Sequence, residues 1–154
     1  MQKPFNIFNK DPIFNSFWIT KFSKKFMRAG NRARISSIVK KSLIKSKMSI
    51  KRLPVYTLFG MILRTRPILD IISRRKGKKY LDVPVPLSPR RQLIKSLSWI
   101  IIAIKTRRVN RLDTRISAEL IANSNNQKTA VFTKHKTFSA KLREARINIH
   151  YRWK

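Results

Sequence analysis

The sequence has no cysteine, only three glycines and no long apolar run. Without cysteine the chain can form neither a disulfide framework nor a thiolate metal site. The longest apolar run, WIIIAI at 99–104, is far shorter than the roughly 18 residues that a transmembrane helix needs. Because Lys95 and Lys105 flank this run, we predict a buried helix segment.

Acidic residues are also scarce, which argues against an enzyme. The six are scattered singly along the chain: Asp11, Asp70, Asp82, Asp113, Glu119 and Glu144. No two of them have a spacing that would pair them for acid–base catalysis or metal binding. A ribonuclease built on His135 and His150, the only two histidines, is the one catalytic alternative. We predict a non-enzymatic protein with no metal and no cofactor.

Positive charge is what the sequence has in excess: 37 Lys and Arg against six acids give a formal net charge of +31. Self-repulsion of this size opposes a compact free state, so we expect a polyanionic partner. Nucleic acid is favoured, because each phosphate that Lys or Arg neutralises releases counterions. An anionic membrane surface is the alternative, although the final prediction is a protein with no membrane partner. The hydrophobic content of 42% argues for a folded domain rather than a disordered polycation.

Hydrophobic periodicity predicts a basic N-terminal arm at 1–14 and a single helical domain at 15–154. The fold class is mainly α: six helices with a protruding two-stranded β-ribbon between the third and the fourth. The expected limits are Asn15 or Ser16 to Gly30 for the first helix, Pro54 to Pro67 for the third, Ser88 onwards for the fourth, and about Thr133 to the C-terminus for the sixth. The fourth helix should be central, with Trp99 in the core.

The segment SRRKGKKYLDVPVPL, residues 73–87, predicts the ribbon. Residues 68–75 and 80–87 are rich in β-forming side chains and are joined across Gly77, as in a hairpin. Pro84 and Pro86 lack a backbone N–H on the same edge of the second strand, so no third strand can pair there. We expect the base of this ribbon to rest on the helices and its basic tip to project.

Candidate RNA-binding residues are basic and aromatic side chains in five segments. They are Lys24, Lys25, Arg28, Arg32 and Arg34; Arg74, Arg75, Lys76, Lys78, Lys79 and Tyr80; Arg90 and Arg91; Lys134 and Lys136; and His150, Tyr151, Arg152 and Trp153. A narrow basic ribbon suits a nucleic-acid groove, and an aromatic side chain can stack on an unpaired base. Arg90 and Arg91 oppose the dipole at a helix N-terminus, which favours a role towards a ligand. A solvated basic loop is the alternative for the ribbon.

Several motifs in this order resemble the small-subunit ribosomal protein seven family. They are DP at 11–12, RP at 66–67, SRRKG at 73–77, YLDVPV at 80–85, PRRQL at 89–93 followed by WI at 99–100, AEL at 118–120 and HYRW at 150–153. The resemblance implies six helices with a β-ribbon between the third and fourth. It also implies a non-catalytic protein that binds the 3′ major domain of small-subunit ribosomal RNA and organises the head with neighbouring head proteins. The ribbon would then lie near the exit site for tRNA and the path of mRNA.

Three features depart from that family. Its two glycines at the ribbon turn are Gly77 and Lys78 here, the arginine before the tryptophan of the fourth helix is Ser98, and acidic residues before the last helix are replaced by KHKTF at 134–138. Abundant Ile, Lys, Phe and Asn suggest an AT-rich organellar genome, with a mitochondrion as first choice, a plastid second and a bacterium third. We expect no homo-oligomer. A sequence-neutral, nucleoid-type packaging protein, which would dimerise and bind duplex DNA, is the alternative function.

Overall fold

The computed structural model describes residues 11, 13–27 and 29–152, and within them the predicted mainly α fold with one β-ribbon is confirmed. The helices and strands are α1 Phe17–Phe26, α2 Arg32–Ile50, α3 Pro54–Thr65, β1 Leu69–Lys76, β2 Lys79–Pro86, α4 Pro89–Thr106, α5 Leu112–Ser124 and α6 Ala130–Ala145. A 3₁₀ segment, Arg146–Arg152, follows α6. Most of the predicted N-terminal arm lies outside the described residues, so the boundary at residue 14 stays a prediction.

Two helix ends differ from the predicted ones. Helix α1 ends at Phe26 rather than at Gly30, because Ala29 and Gly30 both take left-handed φ angles, of 48° and 73°, in the turn to α2. Helix α6 begins at Ala130 and stops at Ala145, and the chain continues as 3₁₀ turns with a kink at Asn148. The KHKTF segment therefore lies inside α6 rather than before it.

Helix α4 holds the centre of the helical domain. It packs against α1, α3, α5 and α6, and its apolar run at 99–104 is largely buried. Trp99 is only 7% exposed and makes an edge-on contact with Phe138, with ring centroids 5.2 Å apart, which confirms its place in the core. In the described part of the chain, no helix is both long and apolar enough to cross a membrane.

The β-ribbon is a simple antiparallel hairpin between α3 and α4. Its register runs from Leu69 opposite Pro86 to Lys76 opposite Lys79, so both strands are displaced by one residue from the predicted ranges. Gly77 has a φ of 60° while Lys78 has no left-handed φ, a combination typical of a type II′ turn. Such a turn needs glycine only at its first central position. Lysine at position 78 is therefore compatible with a tight turn.

Candidate nucleic-acid interface

The base of the ribbon is fixed to the helical domain. Lys95 of α4 donates to Asp70 Oδ1 of β1, and its Nζ lies 4.3 Å from the ring centroid of Phe138 in α6. Val83 of β2 is fully buried. A cation that pairs with a carboxylate and contacts an aromatic ring is held in one place. These contacts join β1 to α4 and α6, so the ribbon leaves the domain in a defined direction, as the sequence predicted.

The outer edge of β2 is covered by the C-terminal 3₁₀ segment. Leu87 N donates to Ile68 O at 3.0 Å, which turns the odd-numbered amides of β2 towards β1 and the nitrogens of Pro84 and Pro86 outwards. On that outer edge Asn148 Nδ2 donates to Asp82 O at 3.1 Å. The prolines thus exclude a third strand, as predicted, and the 3₁₀ segment takes its place.

Near the tip, the C-terminal segment meets the basic side chains of β1. Lys76 Nζ donates to the hydroxyl of Tyr151 and lies 3.8 Å from its ring centroid. Arg74 Nη1 donates to the carbonyl of Tyr151 at 3.4 Å. A cleft of about 170 Å³ lies between these residues, with Arg75 and Leu81 completing its walls. The sequence grouped the ribbon and the C-terminus only as two separate segments, and the structure brings them into contact.

We use the name ribbon surface for this combined region. It consists of Arg74, Arg75, Lys76, Lys78, Lys79 and Tyr80 from the ribbon with His150, Tyr151 and Arg152 from the 3₁₀ segment. The tip side chains are open to solvent, and Tyr80 is 71% exposed. Arg75 Nε donates to Gly77 O at 3.0 Å, which folds this guanidinium back over the turn. The region therefore presents several cations and an aromatic ring on one narrow projection.

A second basic region lies where α1 meets α2. Lys24 and Arg32 line a cavity of about 370 Å³, together with Lys40, whose Nζ lies 3.9 Å from Asp11 Oδ1. Of the other predicted residues, Lys25, Arg34, Arg90, Arg91, Lys134 and Lys136 are exposed at helix surfaces. Arg28 and Trp153 lie outside the described residues.

Four residues that position the ribbon were missed by sequence reasoning: Asp70, Lys95, Asn148 and Leu81. The scarcity of acids was a usable signal for Asp70, because an acid in so basic a chain is expected to have a cationic partner. Asn148 had no such signal, since its partner Asp82 lies 66 residues away in the chain. Contacts at that separation follow from the tertiary fold and not from local pattern.

The two histidines do not form a catalytic arrangement with each other. His135 packs edge-on against Trp99, with ring centroids 6.1 Å apart, and His150 packs against Tyr151 at 5.6 Å. Across residues 11, 13–27 and 29–152, no group of three or more His, Asp or Glu side chains is close enough to hold a metal ion. The candidate site is therefore a binding surface made of cations, amide groups and aromatic rings.

Comparison with known proteins agrees with this surface. The family model described as ribosomal protein S7p/S5e matches residues 2–144. This chain belongs to the S7p/S5e family. The small ribosomal subunit protein uS7 of Mesorhizobium japonicum is 32% identical over 146 residues, which cover 94% of this chain and 92% of the relative. The uS7 protein of Lactobacillus delbrueckii subsp. bulgaricus is 33% identical over 144 residues, covering 93% and 91%.

Membership of the S7p/S5e family confirms the resemblance found in the sequence. The family is structural and non-enzymatic, so the prediction of a protein without catalytic activity is confirmed as well. The family match spans all six helices and the ribbon and ends in the last turn of α6. The 3₁₀ segment that contacts the ribbon lies beyond that match.

Proposed function

We propose that this protein is a structural component of the small ribosomal subunit, where it binds the 3′ major domain of the ribosomal RNA and organises the head with neighbouring proteins. Family membership supports the ribosomal role, and the relatives described above are named as small-subunit proteins. The observation that carries RNA binding is the ribbon surface. It joins clustered cations to an exposed aromatic ring on a projection with a fixed base.

The charge on the ribbon surface supports this function because little of it is neutralised within the protein. Two acids lie on the ribbon itself, and both are engaged: Asp70 pairs with Lys95, and Asp82 Oδ1 accepts from Ser73 Oγ at 2.6 Å. The tip cations repel one another in the free protein. Phosphate groups would remove that repulsion and release counterions. RNA binding is thus favoured twice by the same charges.

Two finer parts of the proposal concern the ribbon tip and the cell compartment. We place the tip next to exit-site tRNA and mRNA, because Lys78 and Tyr80 at and beside the turn are open to a second ligand. We assign the protein to a mitochondrial ribosome, with a plastid as the second choice, from its abundant Ile, Lys, Phe and Asn. In this role it acts as one copy per subunit and not as a homo-oligomer.

Footprinting of small-subunit ribosomal RNA with and without the protein, at about physiological salt, tests the proposal. Protection confined to the 3′ major domain is the expected result. Uniform, salt-sensitive protection of any RNA or duplex DNA would instead favour the nucleoid-type packaging protein. That alternative accounts for the net charge but not for the ordered family motifs.

A charge-reversal pair tests which surface carries the binding. Replacing Arg74, Arg75 and Lys76 by glutamate should weaken rRNA binding strongly and leave the helical fold intact, because all three side chains lie away from the helical core. The matched control replaces the exposed lysines of α2, Lys41, Lys45 and Lys47, by glutamate and removes the same charge elsewhere. Equal losses in the two variants would mean that net charge, and not the ribbon surface, carries the binding.

A further inference from the structure

We propose that Asn148 and Tyr151 are positioning residues: they hold the β-ribbon at one angle to the helices, so that Arg74 and Lys76 meet RNA together. This inference rests on the proposed RNA binding and adds to it a role for the 3₁₀ segment that lies beyond the family match. It also changes the expected role of Tyr151, which the sequence analysis predicted to be an RNA contact.

The ribbon needs such support because of its shape. Each strand has eight residues, which corresponds to about 26 Å of extended chain. An isolated two-stranded hairpin is marginally stable in water unless it packs on something. The contacts of Asp70 and Val83 fix only the half nearer the helices. The half nearer the turn carries the cations, and their mutual repulsion opposes an ordered hairpin there.

The 3₁₀ segment supplies this support at two points along the ribbon. Asn148 binds Asp82 O, opposite Ser73 in the middle of the ribbon. Tyr151 binds Arg74 and Lys76, the last residues of β1 on that face. Two separated points on one rigid segment fix an angle, whereas a single point would leave the ribbon free to pivot.

The outer edge of β2 is built to accept a side chain rather than a strand. Pro84 and Pro86 remove two N–H donors from that edge, while the carbonyl of Asp82 remains as an acceptor. A strand cannot pair with such an edge, but a single amide donor can. The kink at Asn148, where φ is −93° and ψ is 16°, lies at the residue that makes this bond.

The groups of Tyr151 that could bind RNA are already engaged. Its hydroxyl accepts from Lys76 and its carbonyl accepts from Arg74, so both polar groups face the ribbon. Both acceptors are neutral oxygens that bring two like charges close together. The cations are thereby ordered before RNA arrives, and the cost of ordering flexible side chains on binding is reduced.

The variant Asn148→Ala tests the proposal, with hydrogen exchange of the ribbon amides measured in the free protein. We expect protection of the β1 and β2 amides to fall about fivefold or more, the factor that one ordinary hydrogen bond gives. Affinity for a 3′ major domain RNA fragment should fall as well. Tyr151→Phe, which keeps the ring and loses the hydroxyl, should change both quantities in the same direction.

The salt dependence of RNA binding separates positioning from direct contact. Asn148 has no charge, so its loss as a direct contact would leave the slope of log K against log salt unchanged. Its loss as a positioning residue would move a cation away from its phosphate and reduce that slope by about 0.7 to 0.9 per phosphate. We expect the smaller slope for Asn148→Ala. Ile149→Ala is the matched control, since this neighbouring side chain is 52% exposed, and wild-type values are expected for it.

The outcomes distinguish this inference from the proposed function. Unchanged amide protection in Asn148→Ala overturns the inference, as does weaker RNA binding with an unchanged slope. If reversing Arg74, Arg75 and Lys76 had no effect on RNA binding, the proposed function of the ribbon surface would fail. The exchange experiment on the free protein would still decide whether Asn148 and Tyr151 hold the ribbon.

Discussion

A buried ion pair between α4 and α5 leads to the most quantitative prediction. Glu119 of α5 is 1% exposed, and its Oε2 lies 2.5 Å from Nε of Arg107, the residue directly after α4. The other carboxylate oxygen, Oε1, is buried without a hydrogen-bond partner among the described residues. Arg107 is therefore the group that compensates the buried charge of Glu119.

The cost of removing Arg107 can be worked out from this geometry. Breaking a fully buried ion pair by removing one partner costs about 3–5 kcal/mol, because the other charge stays buried and uncompensated. The Arg107 side chain is 31% exposed, so solvent already screens part of the pair and the lower limit applies. A loss of about 3 kcal/mol lowers the melting temperature of a domain of this size by roughly 6–12 °C.

Urea unfolding at constant salt, followed by tryptophan fluorescence, measures this cost as a double-mutant cycle. Arg107→Leu should lose about 3 kcal/mol of unfolding free energy. Glu119→Leu should lose less, because Arg107 can turn its guanidinium to solvent. The double variant should recover most of the loss, since an apolar pair of similar size replaces a buried ion pair at little cost. A double variant as unstable as Arg107→Leu would refute the reasoning.

Two further predictions concern the ribbon turn and the core. Gly77→Ala should lower amide protection in the ribbon, because a left-handed φ of 60° costs a residue with a Cβ about 1 kcal/mol, whereas Lys78→Gly should change it little; equal effects would contradict a type II′ turn. Trp99→Ala should lose about 3–5 kcal/mol in urea unfolding, while Ile102→Ala on the exposed face of α4, where the side chain is 43% exposed, should lose much less. Similar losses at the two positions would contradict the central place of Trp99.

Local chemistry explains why most of the fold could be predicted. The ribbon depends on a glycine at its turn and on two prolines at one edge, and helix α4 begins at the predicted Ser88–Pro89. Each of these features acts within a few residues, where backbone sterics decide the outcome. The side-chain bond expected of a helix cap is absent at Ser88, so proline and the apolar stripe are enough to start α4.

Contacts between distant segments explain what could not be predicted. The sixth helix was expected to run to the C-terminus, but α6 ends at Ala145 and the chain then turns along β2. Periodicity carries no information on this turn, because it depends on partners in β1 and β2 more than sixty residues earlier. The same holds for Lys95, whose carboxylate and aromatic partners lie on two other elements.

The distribution of acids explains how so basic a chain folds around a charged projection. Three acids lie at junctions between segments: Asp11 faces Lys40 of α2, Asp70 binds Lys95 of α4, and Glu119 binds Arg107. At each junction a carboxylate offsets the repulsion that would otherwise push neighbouring elements apart. The tip of the ribbon has no such acid and is held by neutral oxygens of the 3₁₀ segment instead. Its charge is thus ordered without being neutralised, which is the state that a phosphate-binding surface requires.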